Sequence, residues 1–113
     1  MSLNTLAGEH LTAVEFVEDF LQLRFGDALL VLYVWPDVAD ADAISVAFGQ
    51  PGYRDALCST ISEAVTVADL DDGGSLTIEF ENGTVFALSL RAEDLDTPEV
   101  GSFQSADGET VEF

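Results

Sequence analysis

Two stretches of alternating apolar and polar residues dominate the chain, and each predicts a β-hairpin. In the first, Leu21, Leu23 and Phe25 alternate with more polar neighbours, which is the two-residue period of a strand with one buried face. Gly26-Asp27 interrupts this pattern before a second apolar run. A two-residue turn at that point places Leu23 opposite Leu30, so the turn and the hydrophobic pattern predict the same register.

The second hairpin spans residues 76–90, and here the hydrophobic pattern selects the turn. A two-residue Asn-Gly loop would set Ile78 opposite Ala87. A three-residue loop that ends at Gly83, with this glycine in the left-handed conformation, instead sets Ile78 opposite Phe86. The longer loop collects the large side chains on one face, and we therefore predict it.

The two hairpin units also resemble each other in spacing. Leu6, Ala13 and Val14 have the same separations as Leu57, Ala64 and Val65, and the alternating residues that follow in the second copy are Leu76, Ile78 and Phe80. Four extra residues of the second copy fall in the loop at 71–74. This pattern predicts one domain over residues 1–113, with antiparallel hairpins in a pseudo-duplicated arrangement and an α+β, mainly β fold.

The remaining segments carry weaker patterns. Residues 37–42 are predicted to be a polar loop, and the apolar alternation at 44–48 predicts a short strand. One short helix is predicted at about residues 53–63, where Leu57 and Ile61 share a stripe. The polar C-terminal stretch 94–113 is either a third hairpin that pairs Phe103 with Val111 or a frayed tail.

The charge of the chain excludes several classes of partner. Its 113 residues include 22 Asp and Glu but only three basic residues, all arginine, and the net charge is −19. Phosphates of nucleic acids and anionic lipid headgroups repel such a surface, so we expect neither nucleic-acid nor membrane binding. Three explanations of the charge stay open: solvation, capture of a basic protein partner, or a metal-binding cluster.

No residue forms a recognisable catalytic motif. Cys58, the only cysteine, has apolar neighbours in sequence and is expected to be a packed core thiol. His10, the only histidine, is expected at the surface, because no nucleophile motif accompanies it. We therefore predict a protein that is not an enzyme and has no cofactor. Residues 1–10 lack the pattern of a secretory signal and no stretch has the length of a membrane span, which favours the cytoplasm.

Two acidic clusters are weak candidates for a metal site. Asp69, Asp71 and Asp72 resemble the opening of a calcium loop, but the position of its bidentate carboxylate is occupied by Phe80. The second cluster consists of Asp37, Asp40 and Asp42, and its spacing fits a solvated loop as well as a weak divalent site. We assign a metal to neither cluster.

The first hairpin carries apolar residues on both of its faces. If Leu21, Leu23 and Leu30 face the core, the opposite side carries Phe20, Leu29, Val31, Tyr33 and Trp35. An antiparallel sheet usually keeps one face polar, so this second face must be covered. Other parts of the same chain, or a second copy or another partner, are the alternatives for that cover.

The segments 19–25, 57–65, 76–83 and 98–100 together resemble small bacterial domain families of unknown function. Some proteins of this kind are immunity partners of secreted toxins. The resemblance implies a compact α+β or mainly β domain, implies no enzyme, and supplies no catalytic residues.

These observations lead to three functional hypotheses. The first is a non-catalytic acidic interaction protein that forms a homodimer through the face carrying Phe20, Val31, Tyr33 and Trp35. The second is an immunity- or inhibitor-type protein that binds a basic partner, helped by electrostatic steering. The third is a protein that binds a divalent metal or another ligand through one of the two acidic clusters.

Overall fold

The described part of the chain forms two antiparallel β-sheets of five strands each. The computed structural model describes residues 3–18, 20–42, 44–71, 74–91 and 100–113. The elements in chain order are a 3₁₀ helix (Leu3–Leu6), β1 (Ala13–Val17), β2 (Phe20–Phe25), β3 (Ala28–Leu32), β4 (Asp37–Ala39), β5 (Ser45–Val46), α1 (Tyr53–Cys58), β6 (Val65–Asp71), β7 (Ser75–Phe80), β8 (Val85–Ser89), β9 (Gly101–Gln104) and β10 (Thr110–Glu112). The predicted fold class, mainly β with one short helix, is confirmed for the described residues.

The two halves of the chain exchange hairpins. The first sheet has the order β1-β2-β3-β9-β10, and the second has the order β6-β7-β8-β4-β5. Each sheet is therefore a three-stranded meander from one half, extended by the hairpin that follows the meander of the other half. The two extensions match, because β9 pairs antiparallel with β3 and β4 pairs antiparallel with β8. This exchange is the form that the predicted pseudo-duplication takes.

The predicted registers of the two long hairpins are confirmed. Leu23 lies opposite Leu30 across the turn at Gly26-Asp27. Ile78 lies opposite Phe86, and Gly83 in the loop between them has a φ of 89°. A residue with a side chain rarely adopts this φ, so the three-residue loop needs glycine at that position.

The C-terminal stretch forms the third hairpin rather than a frayed tail over residues 100–113. Phe103 lies opposite Val111. The amide of Phe113 donates to the Gly101 carbonyl at 3.0 Å, and the amide of Gly101 donates to the Phe113 carbonyl at 3.2 Å. The rest of this prediction, residues 94–99, lies outside the described residues.

The prediction of a polar loop over 37–42 is wrong for its first half. Asp37–Ala39 forms β4, in which Val38 is buried and lies opposite both Phe86 and Val46. A single buried residue between polar ones is too short an alternation to identify a strand, and its partner β8 is distant in sequence. The strand predicted at 44–48 is shorter than expected and contains only Ser45–Val46.

The predicted helix at 53–63 is also too long, because α1 ends at Cys58. The Thr60 hydroxyl donates to the Leu57 carbonyl at 2.6 Å, and Ser62 has a φ of 78°, far from helical values. The Ser62 amide donates to the Leu11 carbonyl at 2.7 Å. The chain thus leaves the helix to pair with the first half before β6 begins.

Both sheets turn their apolar faces toward one shared core. Its fully buried side chains come from both sheets, from the 3₁₀ helix, from α1 and from the segment before β1: Leu3, Leu6, Leu11, Leu21, Leu23, Phe25, Leu30, Leu32, Val38, Leu57, Ile78 and Phe103. Burying one such side chain contributes roughly 1.5–3 kcal/mol, so this core supplies most of the favourable free energy of folding. Neither helix among the described residues has the length and apolar character needed to cross a membrane.

Candidate interaction surfaces

The side of the first sheet that faces away from the core is apolar at its centre. Phe20, Leu29, Val31 and Tyr33 alternate with the buried residues of β2 and β3, and we call the surface they form the first outer face. The Phe20 and Tyr33 rings meet edge to face, with centroids 5.8 Å apart. Tyr33 keeps 43% of its surface exposed, and the other three are half-buried. The fold therefore leaves this face partly open to solvent.

Trp35 does not belong to the first outer face, contrary to the prediction. Its ring stacks on Phe48 at a centroid distance of 4.4 Å and lies nearly parallel to Phe16 at 6.1 Å. Phe16 lies opposite Leu21, so it belongs to the core side of the sheet. β3 ends at Leu32, and the strand alternation that predicted the direction of Trp35 does not continue to this residue.

The charges on the first outer face nearly cancel. Glu15 and Arg24 are on this side, and Arg24 Nε donates to Glu15 Oε1 at 2.5 Å. Glu112 of β10 is the other charged strand residue on this side among the described residues. Since the whole chain carries −19, this sheet face is a region of low charge on a strongly acidic molecule.

The corresponding side of the second sheet, which we call the second outer face, is mostly polar and acidic, although Val67 of β6 is 43% exposed on it. Its central strands present Ser75, Thr77, Val85, Ala87 and Ser89. By register, Ser75, Ala87 and Ser89 occupy the positions that Phe20, Val31 and Tyr33 occupy in the first sheet. The strands β4, β6 and β7 add the carboxylates of Asp37, Asp69, Asp71 and Glu79.

A second apolar surface, which sequence analysis missed, lies where β1 meets the segment around α1. We call it the aromatic groove and define it by Phe16, Trp35, Phe48, Tyr53 and Arg54. Tyr53 is buried at its floor and contacts both Trp35 and Phe48 edge to face. Its hydroxyl donates to the Pro36 carbonyl at 2.5 Å. Burial, and secondly the nearby Asp37 carboxylate, raise the pKa of this hydroxyl well above its ordinary value.

The walls of the aromatic groove are open to solvent. Phe48 is 56% exposed and Phe16 is 38% exposed, although both are large aromatic residues. The guanidinium of Arg54 lies 5.4 Å from the centre of the Phe16 ring, a cation–π distance, and it forms no ion pair with a described carboxylate. Two neighbouring hollows, with volumes of about 330 and 160 Å³, share Phe48 and Arg54 in their walls.

The structure does not bring the acidic candidates together as a metal site. Asp40 Oδ1 accepts the backbone amides of Asp42 and Ile44 at 2.9 and 3.0 Å, so this carboxylate closes a turn. Asp37 is instead part of β4. Asp69 and Asp71 are exposed on β6, whereas Asp72 lies outside the described residues. In the part of the chain that is described, no three His, Cys, Asp or Glu residues have a metal-binding arrangement.

His10 and Cys58 are both exposed, which confirms the prediction for His10 and contradicts it for Cys58. Leu57 at the end of α1 is fully buried. Adjacent residues on a helix point about 100° apart, so the next side chain turns outward. The apolar neighbours of Cys58 in the sequence therefore do not indicate a buried thiol.

Another hollow, of about 390 Å³, lies between the 3₁₀ helix and the β9–β10 hairpin and has Glu9, Asp107 and Glu109 in its walls. Asp107 accepts hydrogen bonds from the Ser105 hydroxyl and the Glu109 amide, which lower the pKa of its carboxyl. These bonds close the hairpin loop, so the Asp107 carboxylate has a structural role.

Comparisons of this chain with protein-family models, with curated proteins and with solved structures gave no significant match. The two apolar surfaces are therefore the features of the molecule that point to a function. Phe16 and Phe48 were overlooked because each lies in a short or irregular apolar segment. Their exposure and their shared contact with Trp35 are determined by tertiary packing.

Proposed function

We propose that this protein is a non-catalytic interaction protein that binds a second copy of itself through the first outer face. The observation that carries this proposal is the difference between equivalent positions of two similar sheets. Large side chains occupy the first outer face where the second has Ser75, Ala87 and Ser89. A contiguous apolar patch at the surface is typical of an interaction site, whereas single apolar residues are common on any surface.

The charge distribution supports a second copy as the partner. Two molecules of charge −19 repel each other over most of their surfaces. The first outer face is the part of the sheets where this repulsion is weakest, because Arg24 neutralises Glu15 there. A two-fold symmetric contact places the same patch on both partners, so a face with balanced charge is compatible with itself.

The test is sedimentation velocity over a range of protein concentrations, at about 0.05 M and about 1 M NaCl. We expect a dimer whose affinity increases with salt, because salt screens the mutual repulsion. Val31→Lys places a charge at the centre of the face and should produce a monomer. Ala87→Lys is the matched control at the equivalent position of the second sheet, and it should leave the dimer intact.

Two results would contradict the proposal. The first is a monomer at high protein concentration and about 1 M NaCl. The second is an equal loss of association in Val31→Lys and Ala87→Lys, which would indicate an effect of added charge that does not depend on the face. Circular dichroism of both variants shows whether the sheets have formed.

A second function, binding of a basic protein partner in the manner of an immunity or inhibitor protein, is favoured by the second outer face. That face carries Asp37, Asp69, Asp71 and Glu79 and no arginine among the strand residues described. Such a surface accelerates encounter with a cationic protein. Binding to a cationic protein weakens as the NaCl concentration rises, whereas self-association through the first outer face strengthens. The salt dependence of binding therefore distinguishes the two functions.

A further inference from the structure

We infer that the aromatic groove binds a proline-rich peptide that carries arginine or lysine, an activity separate from self-association. Three features support this occupant: flat aromatic walls that remain open, an indole N–H with no partner among the described residues, and carboxylates at the rim. Each corresponds to a different property of the peptide.

The aromatic walls suit the rings of proline. Peptides in the polyproline II conformation dock in aromatic-lined grooves, and they lose little conformational entropy because proline already fixes their backbone. Phe48 is more than half exposed and Phe16 is 38% exposed beside the half-buried Trp35, and the two hollows lie next to each other with Phe48 in both walls. Two adjacent hollows bounded by one ring offer room for successive proline-containing turns.

The Trp35 indole supplies a hydrogen-bond donor. The Trp35 Nε1 has no hydrogen-bond acceptor among the described residues, whereas the Tyr53 hydroxyl already donates to the Pro36 carbonyl. A polyproline II helix has no internal hydrogen bonds, and its carbonyl groups point outward. The indole N–H can therefore donate to a peptide carbonyl while the rings pack against proline.

The acidic surface of the whole molecule, rather than the nearly balanced charge of the aromatic groove itself, favours a cationic peptide. Glu18 lies in the wall of one hollow and Asp55 in the wall of the other, and both are exposed. Arg54 lines both hollows as well, and its guanidinium makes a cation–π contact with the Phe16 ring. The net charge of −19 attracts cationic peptides from solution and repels anionic ones.

The experiment uses the fluorescence of Trp35, which is the only tryptophan of the chain. The probe is a synthetic heptapeptide with two proline pairs separated by leucine and with two arginines at its end. We expect a saturable change in Trp35 emission, and affinity that falls by about tenfold when the arginines are replaced by glutamates or when salt is raised to about 0.5 M. A peptide with alanine in place of proline should bind at least about tenfold more weakly.

Phe48→Ala should abolish binding of the heptapeptide. Ile44→Ala, a truncation of another exposed apolar residue in the same part of the chain, should leave it unchanged. Both positions are more than half exposed, so neither variant removes a core side chain. Glu18→Gln combined with Asp55→Asn should weaken binding by about three- to tenfold without changing its stoichiometry.

Absence of a saturable response, equal binding of the glutamate peptide, or full binding by Phe48→Ala would each overturn the inference. The titration is repeated in Val31→Lys, which is designed to remain monomeric. Binding there, with or without dimerisation of the native chain, shows that the aromatic groove acts independently of the first outer face. Loss of binding in that variant alone would contradict the separation of the two activities.

Discussion

The outer faces of the two sheets have nearly the same backbone plan and opposite surface chemistry. On the core side, the pairs Leu23–Leu30 and Ile78–Phe86 occupy corresponding places in the two meanders. On the outer side, Phe20 corresponds to Ser75 and Tyr33 to Ser89. The shared part is what folding requires, because both core sides pack into one core. The outer sides, where the two sheets differ, are therefore the candidates for a functional role.

Charge follows the same division. The described strands of the first sheet carry a matched Glu15–Arg24 pair on the outer side, whereas those of the second carry four carboxylates there. An acidic protein needs a well-hydrated surface for solubility, and the second outer face meets that need. The first outer face contributes less to hydration, so its large side chains need another explanation, and we propose self-association.

The largest expected effect tests the part that the two sheets share. Leu30→Ala and Phe86→Ala remove corresponding buried side chains, and each should lower the free energy of unfolding by about 2–5 kcal/mol. Urea denaturation of both variants measures this directly. Leu29→Ala, next to Leu30 but on the outer side, is the control and should cost less than about 1.5 kcal/mol in the monomer. An effect confined to one sheet would show that the sheets do not contribute equally to the core.

The core-side pattern could be read from the sequence because two local signals agree there. The two-residue period marks the buried side chains, and the loops at Gly26-Asp27 and at Gly83 determine which of them face each other. Three-residue β4 gave no such signal, since only Val38 is buried in it and its partner Phe86 belongs to the other half of the chain. Local sequence patterns therefore could not predict that the two halves exchange hairpins.

Four of the five residues predicted on the outer side of the first hairpin lie on that side, and their role in a contact stays a prediction. The exception, Trp35, follows the end of β3, where alternation stops determining direction. The aromatic groove was not predicted, because Phe16, Trp35 and Phe48 come from three separate segments and meet only through tertiary packing. The end of α1 was missed for a similar reason, since the Ser62 amide pairs with Leu11 from the first half.

A smaller effect is expected when the surface chemistry of the two outer faces is exchanged. Phe20→Ser with Tyr33→Ser gives the first outer face the residues of the second, and should weaken self-association by at least about tenfold. The reverse change, Ser75→Phe with Ser89→Tyr, should create association through the second sheet once salt of about 1 M screens its carboxylates. Sedimentation velocity measures both variants. Self-association that survives the serine variant would place the contact elsewhere on the molecule.

The smallest effect concerns Tyr53, the buried residue at the floor of the aromatic groove, whose walls are exposed. Tyr53→Phe removes the hydroxyl that donates to Pro36 and should lower the free energy of unfolding by about 0.5–1.5 kcal/mol near pH 8.

Because burial and Asp37 raise the pKa of this hydroxyl in the folded state, the unfolded chain ionises first as pH rises above about 10. The native chain therefore loses stability above that pH more steeply than Tyr53→Phe, by up to about 1.4 kcal/mol per pH unit. Urea denaturation of both chains between about pH 8 and pH 11 gives the two slopes. Parallel slopes would show that the hydroxyl ionises as readily in the folded protein as in the unfolded chain, and that the floor of the aromatic groove is open to water.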